Sequence, residues 1–202
     1  MFRAIVIVLL AFFSFTLAMP MLLVGLNESE PTSQACDALD PSMSTRWREL
    51  KGCHLNWREA GFARVGSTVT EVYVPLYASA EASSQRAGII LASRRHDFLA
   101  FGEALLAAPK GGEDLERVLE KHQDLVHFDD PLSGMLRSYS ELLDSEKEVL
   151  AALPGARDEE LLILDDGATP DLLSAIGLFL LGSLFFVGAA IDLRSRRSRR
   201  MS

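Results

Sequence analysis

The stretch Leu172-Leu173-Ser174-Ala175-Ile176-Gly177-Leu178-Phe179-Leu180-Leu181-Gly182-Ser183-Leu184-Phe185-Phe186-Val187-Gly188-Ala189-Ala190-Ile191 holds 20 residues without one ionisable side chain. As a helix rising about 1.5 Å per residue it covers roughly 30 Å, the thickness of a bilayer's hydrocarbon core. Thr169-Pro170-Asp171 precedes it. Thr169 reads as the helix cap, Pro170 as the first helical residue and Asp171 as an acid at the positive end of the dipole. Arg194, Arg196, Arg197, Arg199 and Arg200 follow. Arginines packed directly behind a span mark its cytoplasmic side.

The opposite end of the chain repeats the pattern. Residues 4–26 also lack ionisable groups, with Arg3 ahead of them and Asn27, Glu28 and Glu30 behind. This reads as a signal anchor with its start in the cytoplasm. The competing reading is a signal peptide cut after Thr16-Leu17-Ala18. The apolar run continues past that site through Met21-Leu22-Leu23-Val24, which favours a retained span.

The charge distribution agrees. The net charge of −8 divides into −13 for residues 27–171, +4 for residues 192–202 and +1 from Arg3. The expected layout is therefore a cytoplasmic start (1–3), transmembrane helix 1 (4–26), a linker (27–45), an extracytoplasmic domain (46–171), transmembrane helix 2 (172–191) and a basic cytoplasmic tail (192–202). The domain then faces a periplasmic or extracellular space. A disordered acidic chain, a collagen-like chain and a disulfide-dense mini-protein are excluded by composition, with 49% hydrophobic residues and two cysteines. The acidic middle argues against nucleic acid as a partner. Spans free of ionisable groups argue against a proton relay or ion pathway.

Small residues recur every seven positions in both spans: Ala4, Ala11, Ala18 and Gly25 in the first, Ala175, Gly182 and Ala189 in the second. A seven-residue repeat keeps one side of a helix turned to a neighbour, and small side chains let two membrane helices approach closely. An antiparallel hairpin of the two spans, packing on a partner, and chance all fit this pattern. Pro20 is expected to kink the first span.

Between the spans, Cys36 and Cys53 form an even pair in a region read as oxidising, which predicts one disulfide. Val69-Thr70-Glu71-Val72-Tyr73-Val74-Pro75-Leu76-Tyr77 reads as a strand, with Pro75 pointing to an edge or a bulge. Ala87 to Ala92 reads as a buried strand paired with it. Residues 55–65 read as one or two further strands, and Leu161 to Leu164 as a last one. Phe98 to Ala108, with Asp97 as cap, Glu113 to Val126 and Leu132 to Leu153 read as amphipathic helices. The expected fold is α+β: two transmembrane helices flanking an extracytoplasmic domain with a small, mainly antiparallel sheet and about three helices.

Chemical motifs are sparse. His122 and His127 are five apart, which does not match the spacing of a zinc helix. Asp165-Asp166-Gly167 resembles half a calcium loop without its remaining acids. There is no phosphate loop and no nucleophile elbow. No cofactor and no metal are expected, and no catalytic residue can be named. The reading is a membrane-anchored, non-enzymatic protein whose outer domain binds other membrane or extracytoplasmic proteins, as an accessory or scaffold subunit. One alternative is a membrane-tethered enzyme with a site near His54, His96 and Asp97. Another is a sensor relaying an outside signal through the helix pair.

Overall fold

A computed structural model describes residues 2–28, 30–38, 46–79, 88–108, 113–153 and 161–200. The side chains of Arg3, Ala4, Arg194, Arg196, Arg197, Arg199 and Arg200, and Ala87 altogether, lie outside that description. The chain divides into two compact units, residues 1–29 with 170–202, and residues 30–169.

The first unit is a pair of helices, α1 (Phe2–Asn27) and α6 (Leu172–Arg200). Within them Val6–Asn27 and Leu172–Ile191 are long and apolar enough to cross a membrane. The helices run antiparallel. A side chain placed at Gly25 would meet Leu172, and one at Gly182 would meet Ser14 and the Ala11 carbonyl. Ala11, Ser14 and Ala18 of α1 and Ala175, Gly182 and Ala189 of α6 are buried, and Gly25 is half-buried. Small side chains at these positions bring the two backbones together, which strengthens the dispersion attraction between them. Phe15 and Phe179 meet edge to face with centroids 5.2 Å apart. The hydroxyls of Ser14 and Ser183 donate to carbonyls four residues back, so neither is left unpaired. α1 is continuous through Pro20. At the start of α6 the cap is Asp171, whose Oδ1 accepts the Ser174 amide at 3.0 Å, rather than Thr169.

The second unit is built on a sheet of eight strands: β1 (Thr32–Ala35), β2 (Trp47–Lys51), β3 (His54–Leu55), β4 (Gly61–Val65), β5 (Thr68–Tyr77), β6 (Ile89–Ser93), β7 (Leu132–Ser138) and β8 (Leu162–Asp166). Their order is β1-β2-β7-β8-β6-β5-β3, with β4 also paired to β5. The pairs β1/β2 and β6/β8 are parallel, and the other pairings are antiparallel. Among the described residues four α-helices belong to this unit: α2 (His96–Ala107), α3 (Glu113–Lys121), α4 (Gln123–Val126) and α5 (Asp144–Leu150).

This corrects the expected small sheet; the observed one has eight strands. Part of the supposed linker supplies β1. The larger correction is β7, which lies in a stretch whose leucine spacing predicts a helix. Leu132 and Leu136 are four apart, a distance in phase with both a helix and an alternating strand. The burial pattern of β7 alternates with a period of two, and β2 and β8 pair with it on either side. Pairing partners on both sides decided the outcome. Pro75 is also neither at an edge nor in a bulge. Its carbonyl accepts from Asn56, so its missing N–H faces the gap between β3 and β4.

Both faces of the sheet are covered. On one, Val72, Val74, Leu76, Ile89, Leu91 and Leu164 lie under Phe98 and Phe101 of α2 and Leu119 of α3. On the other, Tyr73, Ile90, Ala92 and Ile163 lie under Leu142, Leu150 and Leu153. Burial from both sides explains why β6 is apolar from Ile89 to Ala92 rather than alternating. Each fully buried phenylalanine contributes about 1.5–3 kcal/mol. Trp57 stacks edge to face on Phe98 and donates from Nε1 to the Leu125 carbonyl at 2.9 Å, tying α4 to the core. Gly102 permits α2 to lie this close: a Cβ there would stand 2.9 Å from Phe62 and 3.0 Å from Val72.

The predicted disulfide is present. Cys36, just after β1, is bonded to Cys53 in the turn between β2 and β3.

Candidate functional site: a charged cluster at the carboxyl ends of β6 and β8

Consecutive residues of a strand point to opposite faces. Asp165 and Asp166 at the end of β8 therefore serve two different environments, as do the residues that leave β6 beside them.

On the α5 side, Arg137 of β7 stands between two carboxylates. Its Nη2 lies 2.7 Å from Asp165 Oδ1 and 2.9 Å from Glu146 Oε1. Its Nε is 2.6 Å from Asp165 Oδ2, an ion pair without hydrogen-bond alignment. Glu146 Oε2 accepts the Leu143 amide at 2.7 Å, so the same carboxylate holds the start of α5. Burial pushes the Asp165 carboxyl up, against the pull of Arg137. Burial also acts on Glu146, but the hydrogen bonds from Arg137 and Leu143 outweigh it and hold the carboxyl below its usual range. On β5, Tyr73 donates to Glu71 Oε2 at 2.7 Å, and Arg94 pairs with Glu71 Oε1 at 2.9 Å. Burial first, and then the Glu71 carboxylate, push the phenol of Tyr73 well above its ordinary value.

On the α2 side, Ser93 donates to Asp166 Oδ2 at 2.6 Å. Arg95 forms a fork with Asp97, at 3.2 and 2.7 Å, and lies over the rings of Phe98 and Phe128. Asp97 is not the helix cap. It stands in the first turn of α2 after Arg95, and its Oδ1 accepts the Phe98 amide. Burial raises the Asp166 carboxyl. At Asp97 the Arg95 hydrogen bond and the Phe98 amide outweigh burial, and the carboxyl is lowered.

Every carboxylate here is held by a cation, a hydroxyl or an amide. The phenol keeps its proton at neutral pH. Such an arrangement clamps α5 and the β6–α2 corner to the sheet. The sequence reading singles out Asp97, Asp165 and Asp166 but not the groups that hold them, Arg95, Ser93 and Arg137, nor Glu146 or the Tyr73–Glu71 pair. One signal was legible: Glu71 is an acid within a run of β-branched and aromatic residues.

The residues of the enzyme alternative are not brought together. His54 pairs with Tyr77 at one end of β5, while His96 and Asp97 follow Ser93, which pairs with Val72. Five residues of strand, roughly 17 Å, separate those rows. His54 lines a groove of about 430 Å³ with Leu119 and Val126. Burial, and then the proximity of His127, lower its imidazole. A second groove of about 620 Å³ is lined by Phe62, Leu105, Leu106, Leu115 and Leu153. Arg58 lines both and forms a two-bond fork with Glu116, at 2.7 and 2.8 Å. Among the described residues no group of three or more His, Cys, Asp or Glu is placed to hold a metal.

Comparison with protein families, with curated proteins and with solved structures finds no match to this chain.

Proposed function

We propose that this is a membrane-anchored, non-enzymatic protein whose extracytoplasmic domain binds other proteins, as an accessory or scaffold subunit of a membrane assembly. The observation that carries the reading is the antiparallel pairing of two helices that are each long and apolar enough to span a bilayer. If both cross, everything between them emerges on one side and both termini on the other. The Cys36–Cys53 disulfide supports an oxidising outer side for the domain. The arginines after the second span support a cytoplasmic tail. The engagement of the cluster's charged groups with one another supports a structural rather than a chemical role for them.

The lysines provide the test. Lys51, Lys110, Lys121 and Lys147 all lie between the two spans, and the tail holds only arginine as a base. A membrane-impermeant, amine-reactive crosslinker applied to sealed right-side-out membranes reaches these lysines only when the domain is outside. The expected result is crosslinks from them to one other protein in fixed stoichiometry. Absence of any label would reject the orientation. Crosslinks confined to this chain would reject the binding role.

A further inference from the structure

We propose that the Cys36–Cys53 disulfide is a redox latch on the edge strand β1, so that its reduction releases β1 while the rest of the sheet stays folded. β1 is a strand of four residues at the sheet edge, with three of them exposed and one half-buried. Among the described residues it pairs with β2 alone, through four parallel pairs, and parallel pairing is the weaker kind per residue. The single turn that follows, Cys36–Ala38, buries no residue.

Among the described residues the side-chain anchors of this segment are slight. Gln34 bonds locally to the Ala38 carbonyl and accepts from Arg48 Nη1 at 3.4 Å. Ser33 bonds to Glu49. Cys36 and Cys53, in contrast, rest against the main hydrophobic core. Among the described contacts the disulfide is therefore the anchor that reaches from this edge into the core.

The neighbouring strand is held differently. β2 buries Leu50 in the main core and pairs with β7 on its other side, so it keeps its place without β1. Ordering a residue's backbone costs at least as much as a net backbone hydrogen bond returns, so the β1 ladder does not persist unaided.

The chemistry requires a dithiol reductant. It supplies two electrons and two protons, the S–S bond breaks, thiols form at Cys36 and Cys53, and the reductant leaves as its own disulfide. The stretch between α1 and the first anchored strand then grows from four residues (28–31) to nineteen (28–46). The outer edge of β2 also becomes free to pair with another strand.

Hydrogen exchange on the full chain in detergent, with and without a dithiol, tests the latch. Exchange at residues 32–35 should rise by about a hundredfold or more on reduction, while β5 and β6 keep their protection. Cys36→Ser should reproduce this without reductant. Arg48, only 1% exposed in the intact fold, should become reactive to a guanidine-specific dicarbonyl. Unchanged protection of β1 after reduction would overturn the proposal. So would loss of protection across β5 and β6, which would make the disulfide a staple of the whole domain.

Discussion

Replacing Arg137 by methionine keeps most of the side-chain volume and removes the cation that Asp165 and Glu146 share. Arg137 Nη2 sits 2.7 Å from one carboxylate and 2.9 Å from the other. The side chain of Glu146 is only 9% exposed, and those of Arg137 and Asp165 about a quarter exposed. Leaving a fully buried charge unpaired costs about 3–5 kcal/mol, and breaking an exposed pair at most about 1 kcal/mol. This cluster lies between those limits, so Arg137→Met should destabilise the domain of residues 30–169 by about 2–3 kcal/mol at neutral pH. The pH dependence follows from the signs. Glu146 has a lowered carboxyl in the fold, so its contribution is present above its unfolded value and is lost as pH falls through the folded one. Asp165 has a raised carboxyl, so it costs stability while ionised, and that cost disappears on protonation. Without Arg137 both carboxylates become harder to ionise. The gap between variant and parent should therefore be widest at neutral pH and shrink through the carboxylate range, near pH 4. Denaturant titration of the full chain in detergent, followed by tryptophan fluorescence at both pH values, measures it. A loss under about 1 kcal/mol at neutral pH, or a gap indifferent to pH, would refute the claim that this cluster clamps α5.

Three further outcomes are expected. Gly134→Ala places a Cβ against the Asp165 carbonyl of the neighbouring strand; the β7–β8 register must shift, and a loss of about 3 kcal/mol or more should appear in the denaturation midpoint. Trp57→Phe deletes the donor to the Leu125 carbonyl and leaves a buried acceptor unpaired, at about 1–3 kcal/mol in the same titration. Cysteines placed at Ala11 and Gly182, which face each other across the helix pair, should crosslink within one chain on mild oxidation, read as a gel-mobility shift; failure in this register and its neighbours would remove the antiparallel packing.

Local composition made several features legible. Two uncharged runs of spanning length need no tertiary partner to be recognised, because the constraint is the width of a hydrocarbon layer. The β5 segment is legible through its β-branched and aromatic content, and β6 through a short continuous apolar run. The pairing of Cys36 with Cys53 followed from there being no other cysteine.

Other features had no local signature. β1 lies in a stretch whose polar composition reads as a linker, and only its ladder to β2 makes it a strand. β7 carries leucines at a spacing that suits helix and strand alike, so neighbours on both sides decided it. The cluster around Arg137 draws on β5, β7, α5 and β8, from residues up to 94 positions apart, and no short window of sequence contains it. Taken alone, the sequence determined what a single helix, a single strand or a pair of cysteines needs, because length, polarity and count act within one segment. The tertiary structure alone decided strand order, the two-sided burial of β6 and the partners of each buried charge, because pairing and desolvation depend on atoms that the chain supplies from elsewhere.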